Sequence, residues 1–507
     1  EVTLGERDLN PHIQDQNLTA CQLADPPEGK RRISPAQRGE ARYAGTSMAR
    51  DLTVLIMAAG HGTRMRSGLA KVLHPVAGRP MVLWVAGAAR AAGAGRVVCI
   101  TRPGEGVAER LDGQVDVAEQ LEGEGTGSAV LAARDAIEDS DHVAILSGDH
   151  PLVSRETIAG MIDTHRQSDA AATVLTMEVR DATGYGRIVR GDGDAIERIV
   201  ETKRTEGVDP EILDIREINL GAYVFAAGDL LEALDEVAET DGERYLTEVI
   251  PILIGRGRKV VPHRTDDEHT AKGVNTRADL MDVEALARRL ILRDLALAGV
   301  TFTSPGTATI DAGVEIGEDT VIGPGVALHG ATTIGAHCEI GPNVTATDAT
   351  IGDEVTASHA VLHDCRVARK ATVGPFAYLR PGADIGEGAK VGTYVEVKNS
   401  TIGAGTKVPH LSYIGDADVG ENTNLGASTI TANFDGRAKH RTTIGSDVKT
   451  SIHTSLIAPV TVGDEAYTGA GSVISDDVPE GALGISRTPQ KNVEGYARRK
   501  KDQKVSE

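Results

Sequence analysis

Residues 444–474 read IGSDVKTSIHTSLIAPVTVGDEAYTGAGSVI, and the spacing within them decides the architecture of the rear half of the chain. Ile444, Thr450, Leu456, Val462, Thr468 and Ile474 stand six residues apart, most of them followed by Gly or another small residue. A unit of this length is a short strand plus a turn with the aliphatic residue pointing inward. Three units close one triangular coil, and stacked coils share one continuous core. The same frame is legible upstream at Ile316, Ile322 and Leu328, and again at Val373, Leu379, Ile385, Val391 and Val397. Only 3% aromatic residues and as many as 58 glycines suit a narrow core that admits Val, Ile, Leu and small side chains. Residues 431–443, with ANFDGRAKHR in their middle, are too polar and irregular for a coil and predict a loop outside it.

In front of the repeats the pattern changes. Residues 277–297 carry apolar side chains at helical spacing and predict a helix linking two domains. Earlier still, strand-like runs (53–58, RVVCIT at 96–101, HVAILS at 142–147, AATVLTMEV at 171–179) alternate with helical ones (126–137, 154–165). Alternation of this kind predicts an α/β domain with a largely parallel sheet whose ligands sit at the carboxyl ends of its strands. The expected division is an extension at 1–50, the α/β domain at 51–276, a linking helix at 277–300, the repeat domain at 301–492 and a basic tail at 493–507. Residues 1–47 lack periodicity and apolar content, so they are expected to be disordered and dispensable, with Met48 opening the folded part.

A formal charge of −21 argues against a nucleic-acid or anionic-membrane binder while permitting local basic pockets for phosphates. The four cysteines (Cys21, Cys99, Cys338, Cys365) lack the close pairs of metal or redox motifs and read as free thiols of a reducing compartment. No run reaches the roughly 18 apolar residues of a membrane span, and no secretory signal is legible. The expected location is the cytoplasm.

Chemistry concentrates in a few segments. MAAGHGTRM (57–65) follows a strand, and its glycine-rich turn lets backbone N–H groups approach phosphate oxygens while Arg64 and Lys71 neutralise charge. SGDHPL (147–152) places Asp149 at a strand's carboxyl end, where a carboxylate can meet Mg²⁺, an ion usually held by one or two carboxylates together with phosphates and waters. Gln120 with GTG (125–127), TGYGRI (183–188), IVETK (199–203), INLGAY (218–223) and GVN (273–275) are polar or glycine-bearing breaks beside strand ends. Taken singly, each also fits an ordinary turn.

Together these segments closely resemble one family. AAGxGTRM, Lys71, Q-x4-GTG, SGDxPL, GYGRI, IVExK and GVN, followed by repeats carrying RPGA (380–383), HLSYIGDADVG (410–420) and ISRTPQ (485–490), match the bacterial bifunctional N-acetylglucosamine-1-phosphate uridyltransferase and glucosamine-1-phosphate N-acetyltransferase, in unbroken order over about 53–492. The resemblance implies an N-terminal Rossmann-like nucleotidyltransferase domain, a linking helix and a C-terminal left-handed parallel β-helix of hexapeptide repeats.

For the front domain it implies that Met57, Ala58, Ala59, Gly60, Arg64 and Lys71 contact UTP, with Ser147 and Gly148 in the same site. Gln120, Gly125 and Thr126 would read the uracil, the five-residue step from Gln120 to Gly125 being the family interval. Gly186, Glu201 and Asn219 would hold N-acetylglucosamine-1-phosphate, and Asp149 and Asn275 would bind Mg²⁺. For the rear domain it implies a homotrimer, with His410 as general base, Arg380, Lys398, Tyr413 and Asn424 on glucosamine-1-phosphate, and Ala427, Asn433, Phe434, Ala470 and Arg487 lining the acetyl-CoA site. Two positions depart from the family: Phe434 stands where Tyr is usual, and Ile452 where Ser is.

Two other readings compete. One is a monofunctional sugar-1-phosphate nucleotidyltransferase with a merely structural β-helix, which would have no need of Arg380, Lys398, His410 and Asn424 on consecutive coils. The other is a non-catalytic sugar-nucleotide sensor, which would dispense with Asp149 and Asn275.

Overall fold

The computed structural model describes residues 51–505 apart from 61, 112, 192–194, 203–207 and 241. The expected disorder of the N-terminal extension, Cys21 and Lys203 of the IVETK segment lie outside the described residues.

The front sheet runs in the order Val260–Arg264, Ala172–Glu178, Glu217–Ala226, His142–Ser147, Leu52–Met57, Arg96–Thr101, Asp116–Glu119, and the pair Gly186–Arg190 and Ile196–Val200 branches from Glu217–Ala226. Leu52–Met57 lies parallel to both of its neighbours, which explains its near-continuous apolar text: a strand covered on both faces has no polar side to show. Its alternate residues serve different layers. Leu55 joins Ile100, Val143, Ile145 and Val174 on one face, while Val54 and Ile56 join Cys99, Ala144, Leu146 and Leu175 on the other. Helices cover both faces, so this is an α/β domain. The sheet is less parallel than the alternation predicts, because Glu217–Ala226 pairs antiparallel with both of its neighbours in the main order. The helix expected over 126–137 is two helices, Gly125–Leu131 and Arg134–Glu138, separated where Ala133 leaves helical geometry at φ −101° and ψ 21° and lets Ala136 and Ile137 turn into the core.

The linking helix spans Arg277–Leu297 and is fixed at its start by a reciprocal capping box between Thr276 and Asp279. Val283 and Ala287 pack with Met65, Val76, Met81 and Val274, while Ile291, Leu292 and Leu295 pack against the β-helix core. A turn of the front domain completes the junction. The N–H of Ala77 donates to Glu284 Oε2 at 2.6 Å, its carbonyl accepts from Ala312 N at 2.8 Å, and Arg79 Nη2 donates to Ala312 O at 2.9 Å.

The rear domain is a left-handed β-helix of three parallel sheets with seven, ten and nine strands. All of the inward positions read from the hexapeptide frame are buried, including Thr450 and Thr468. Those two threonines hydrogen-bond Thr429 and Thr454, at 2.9 and 2.8 Å, which satisfies hydroxyls that burial would otherwise penalise. The gaps in the legible frame have a structural cause: Ile351 pairs with Val367 rather than with residue 369, so the coil is short and the repeat slips phase. The segment between Ile430–Ala432 and Thr442–Ile444 leaves the coil as expected. Asp435 pins it by accepting from the N–H groups of Arg437 and Ala438, both at 2.7 Å, and from His440 Nε2 at 2.8 Å. Cys99, Cys338 and Cys365 are free and buried.

Candidate functional sites

Neighbouring strands of the front sheet end at Met57, Thr101, Glu119 and Ser147, so the turns that follow them share one edge. Met57 and Ser147 are partners in register, and Gly148 N donates to Met57 O at 3.0 Å. A Cβ on Gly148 would stand 2.9 Å from that oxygen, so only glycine allows the two turns this close an approach. Beyond Gly148 the carboxylate of Asp149 pairs with Lys71, accepts from Ser147 Oγ at 2.6 Å and lies 2.9 Å from His150 Nδ1. The Asp149 carbonyl receives Val274 N at 2.9 Å, which draws the GVN turn alongside. Asn275 Oδ1 then accepts from Arg64 Nη2 at 2.9 Å and stands 3.5 Å from Lys71 Nζ. Residues 64, 71, 149 and 275 therefore converge on one polar centre.

Burial opposes ionisation of Asp149, but the hydrogen bond and charge of His150, together with Lys71, hold its carboxyl well below the usual carboxylate range. An ionised carboxylate and an amide oxygen that both face Lys71 form a hard-oxygen donor set that fits a divalent cation of the Mg²⁺ type. Among the described residues no cluster of three His, Cys, Asp or Glu forms a protein-only metal cage. The pair fits an ion completed by phosphates and water.

Two flanks adjoin this centre. On one, Gln120 is buried, its N–H donates to Thr101 O at 2.8 Å and its Nε2 to Gly123 O at 2.9 Å. Gly125 adopts φ +90°, and a Cβ there would lie 2.5 Å from Arg244 O, while Thr126 Oγ1 accepts from Leu246 N at 2.9 Å. On the other, Gly186 and Asn219 are register partners, and a Cβ on Gly186 would come within 3.5 Å of Glu201 Oε1. Asn219 Nδ2 donates to the hydroxyl of Tyr223 at 2.8 Å. Burial pushes the Tyr223 phenol well above its ordinary range, so it stays neutral and holds the amide in one orientation.

On the β-helix the candidates fall into two neighbouring tracks. Along one sheet, Arg380 Nη1 bonds Glu396 Oε1 at 2.8 Å, Glu396 is the register partner of Tyr413, and Lys398 is that of Gly415. Asn433 Nδ2 lies 3.4 Å from the Tyr413 hydroxyl and 2.5 Å from Asp416 Oδ2. Along the adjoining corner, His410 O accepts from Ser428 N, Ala427 O from His453 N, Ile452 O from Gly471 N, and Ala470 O from Arg487 Nη1 at 2.9 Å. His410 is exposed at the head of this track and Arg487 closes it. Asn424 lies apart from both tracks, on the face of the strand Lys407–His410, bridging to Lys407 and Lys449 on the neighbouring coils. Phe434 is exposed on the looped-out segment, and Ile452 on the corner itself.

Supporting residues escaped the motif reading. Asp279 takes the backbone N–H groups of Asn275 and Thr276 at 2.9 and 2.8 Å, and a T-x-x-D capping signature announced it. Tyr223 and Asp416 stood inside quoted motifs without a role. Lys439, from the loop, lies beside Lys398, and nothing in its local sequence signalled that.

Residues 54–253 match the MobA-like NTP transferase domain, and residues 313–348 match the bacterial transferase hexapeptide of six repeats. Over 464 residues the chain is 44% identical to the bifunctional protein GlmU of Mycobacterium tuberculosis, covering 89% of this chain and 93% of that one. The chain belongs to the bifunctional GlmU family. The GlmU proteins of Mycolicibacterium gilvum and Mycolicibacterium smegmatis are 45% and 44% identical, over 92% and 95% of their lengths. A putative glucose-1-phosphate thymidylyltransferase from Bacillus anthracis, in complex with a sucrose, superposes with a TM-score of 0.39 at 20% identity, over 47% of this chain and 95% of that one, a likeness too slight to decide anything further. Membership in GlmU rules out the monofunctional and sensor readings, since both halves of the family's text are present. Among the described residues no helix is long and apolar enough to cross a membrane.

Proposed function

We propose that the two halves divide the two reactions of this bifunctional enzyme of UDP-N-acetylglucosamine synthesis, acetyl transfer on the β-helix and uridyl transfer on the front sheet. In the front site the phosphate oxygen of N-acetylglucosamine-1-phosphate attacks the α-phosphorus of UTP and pyrophosphate leaves. Met57, Ala58, Ala59 and Gly60 line the triphosphate, Arg64 and Lys71 balance its charge, and Ser147 and Gly148 shape the floor. Gln120, Gly125 and Thr126 read uracil, while Gly186, Glu201 and Asn219 hold the sugar. Asp149 and Asn275 hold Mg²⁺, which when bound supplies positive charge to the transferring phosphoryl group. The single observation that carries this reading is the convergence of Arg64, Lys71, Asp149 and Asn275 from distant parts of the chain onto one centre.

In the rear site the nitrogen of glucosamine-1-phosphate forms a bond to the acetyl carbonyl carbon, the carbon–sulfur bond breaks, and the amine proton goes to His410. Arg380, Lys398, Tyr413 and Asn424 hold the sugar phosphate. Acetyl-CoA lies along the corner past Ala427 and Ala470 to Arg487, with Asn433 and Phe434 beside it. A homotrimer brings the separated edges together. Supporting it, Phe376, Tyr394 and Leu411 form an exposed column beside His410, the first two rings stacked at 5.4 Å. A cytoplasmic setting accords with three buried free thiols.

The test is one reaction mixture of glucosamine-1-phosphate, acetyl-CoA, UTP and Mg²⁺ in which free CoA, pyrophosphate and UDP-sugar are followed separately. Asp149→Ala should stop pyrophosphate release while CoA release continues. Loss of both activities together in a folded protein would count against the division.

A further inference from the structure

Three turns meet beside the nucleotide flank of the front site, and one side chain touches two of them. Arg102 follows Thr101 at the end of the strand Arg96–Thr101, next to the ends of Leu52–Met57 and Asp116–Glu119. Its Nε donates to the carbonyl of Ala59 at 2.8 Å. Its Nη1 and Nη2 donate to Glu124 Oε1 and Oε2 at 3.0 and 2.5 Å, a two-pronged pair that fixes direction as well as distance. Ala59 belongs to the turn assigned to the triphosphate, and Glu124 immediately precedes Gly125 and Thr126, assigned to the base. The backbone of Arg102's own strand joins the arrangement, because Thr101 O takes the Gln120 N–H.

We infer that Arg102 is a positioning residue for UTP, clamping the phosphate turn to the base-reading turn through Ala59 and Glu124. The inference rests on the nucleotide site proposed above. In a trans peptide the C=O and the following N–H point in opposite directions, so drawing the Ala59 carbonyl toward Arg102 aims the Gly60 N–H the other way. The space beside Gly60 is open, with no heavy atom within 4 Å of a Cβ placed there. Glu124 is restrained from its far side as well, since its carbonyl accepts from Arg244 N at 2.9 Å. The base-reading turn is thus held between Arg102 and the 243–246 segment. A bland alternative is a surface ion pair with no bearing on the reaction. Glu124 is half exposed, and such a pair adds little to global stability. The further bond from the same guanidinium to a backbone carbonyl of the phosphate turn distinguishes this one, because it converts the pair into a fixed spacing between two ligand-binding loops.

Steady-state uridyl transfer by Arg102→Ala, Arg102→Lys and Glu124→Gln in the full chain tests the clamp. Arg102→Ala should raise KM for UTP about tenfold, with kcat and the KM for N-acetylglucosamine-1-phosphate changed less than about twofold, because binding geometry is lost while the reacting groups stay. Arg102→Lys keeps the charge but cannot make the fork, so it should behave like the alanine variant. Arg102→Ala combined with Glu124→Gln should be no worse than Arg102→Ala alone. An unchanged KM for UTP in Arg102→Ala overturns the inference. So does an equal loss of kcat in both the uridyl and acetyl reactions, which would mark a merely structural residue. Gln120→Ala is the control for the underlying site: if it leaves KM for UTP unchanged while Arg102→Ala raises it, the base-site assignment fails and the clamp does not.

Discussion

The ammonium of Lys398 stands 2.9 and 3.0 Å from the two carboxylate oxygens of Asp416, a side chain almost wholly buried on the next coil. Asn399 Nδ2 and Asn433 Nδ2 donate to the same carboxylate at 2.6 and 2.5 Å. Burial disfavours the Asp416 charge, and the Asn399, Lys398 and Asn433 bonds outweigh it, holding the carboxyl below its ordinary range. The same bond holds the Lys398 ammonium charged above the usual lysine range. Asp416 is therefore the anchor of two residues proposed for substrate. It also adopts φ +50°, a conformation that Asn tolerates better than most side chains. Asp416→Asn should leave the coil intact and release Lys398, raising KM for glucosamine-1-phosphate by about tenfold, the effect of one lost charge-assisted bond. Parallel assays of uridyl transfer, expected to be unaffected, check that the change is confined to the rear site.

Gly125 makes a sharper case in the front domain. At φ +90°, with Arg244 O 2.5 Å from where a Cβ would be, an alanine meets both backbone strain and a clash with main chain. Gly125→Ala should displace the base-reading turn and cut kcat/KM for UTP by about two orders of magnitude. A variant with wild-type kcat/KM would show that the turn can move without cost to the nucleotide.

How much of this was legible in sequence depends on what kind of residue carried the signal. Ile444 to Ile474 announced the coil because one core position recurs with a fixed period, and Arg277–Leu297 announced a helix for a similar reason. Where coils shorten, as between Ile351 and Val367, the period that made the frame readable is itself broken. Asp149 and Asn275 were legible because each belongs to a compact motif, Asp149 just after the strand His142–Ser147 and Asn275 just before the helix Arg277–Leu297. Arg102, Glu124 and Lys439 were not, since their partners are distant in sequence or belong to another turn, and a lone Arg or Glu on a loop reads as a solvated surface residue. The split of 126–137 into two helices was invisible for another reason: Ala133 is a good helix former, and only packing of the residues after it explains the break.

Acid should weaken the front domain through His165. The ring is buried, its Nδ1 lies 3.0 Å from Thr173 Oγ1, and it packs edge-on against His142 with centroids 5.1 Å apart. Burial, with the charges of His142 and Arg166 adding to it, lowers its pKa from 6.5 to about 4. In the unfolded chain the imidazole takes a proton as pH falls through 6.5, while the folded ring refuses it until about 4. The unfolded state binds more protons across that window, so stability falls as pH drops from 6.5 toward 4, by about 3 kcal/mol on the scale of 1.36 kcal/mol per pKa unit. His165→Asn can keep a bond to Thr173 and removes the titration. Urea unfolding of the two proteins between pH 4 and 7.5 should show the variant with a visibly flatter pH dependence, and parallel curves would exclude His165 as the cause.

His410 offers the cleanest separation of chemistry from structure. What holds it in place is backbone and a neighbour: its carbonyl accepts from Ser428 N at 3.2 Å and from Ser412 Oγ at 2.8 Å. Among the described residues its ring has no hydrogen-bond partner, and the residue is exposed at the end of Lys407–His410. Truncating the ring therefore breaks no internal bond, creates no cavity and leaves both carbonyl bonds in place. Any large loss of acetyl transfer then belongs to the ring's chemistry. General-base help is worth about 10²–10⁴ in rate, so His410→Ala should lower acetyl-transfer turnover by at least about two orders of magnitude. Uridyl transfer to supplied N-acetylglucosamine-1-phosphate, melting temperature and oligomeric state should all match the parent protein. His410→Asn, which keeps a polar side chain of similar reach but cannot accept a proton, should be as slow as the alanine variant. If either variant turns over acetyl-CoA at close to the parent rate, the proton of the attacking amine is taken by another group, and the head of the corner track is a binding element instead of a base.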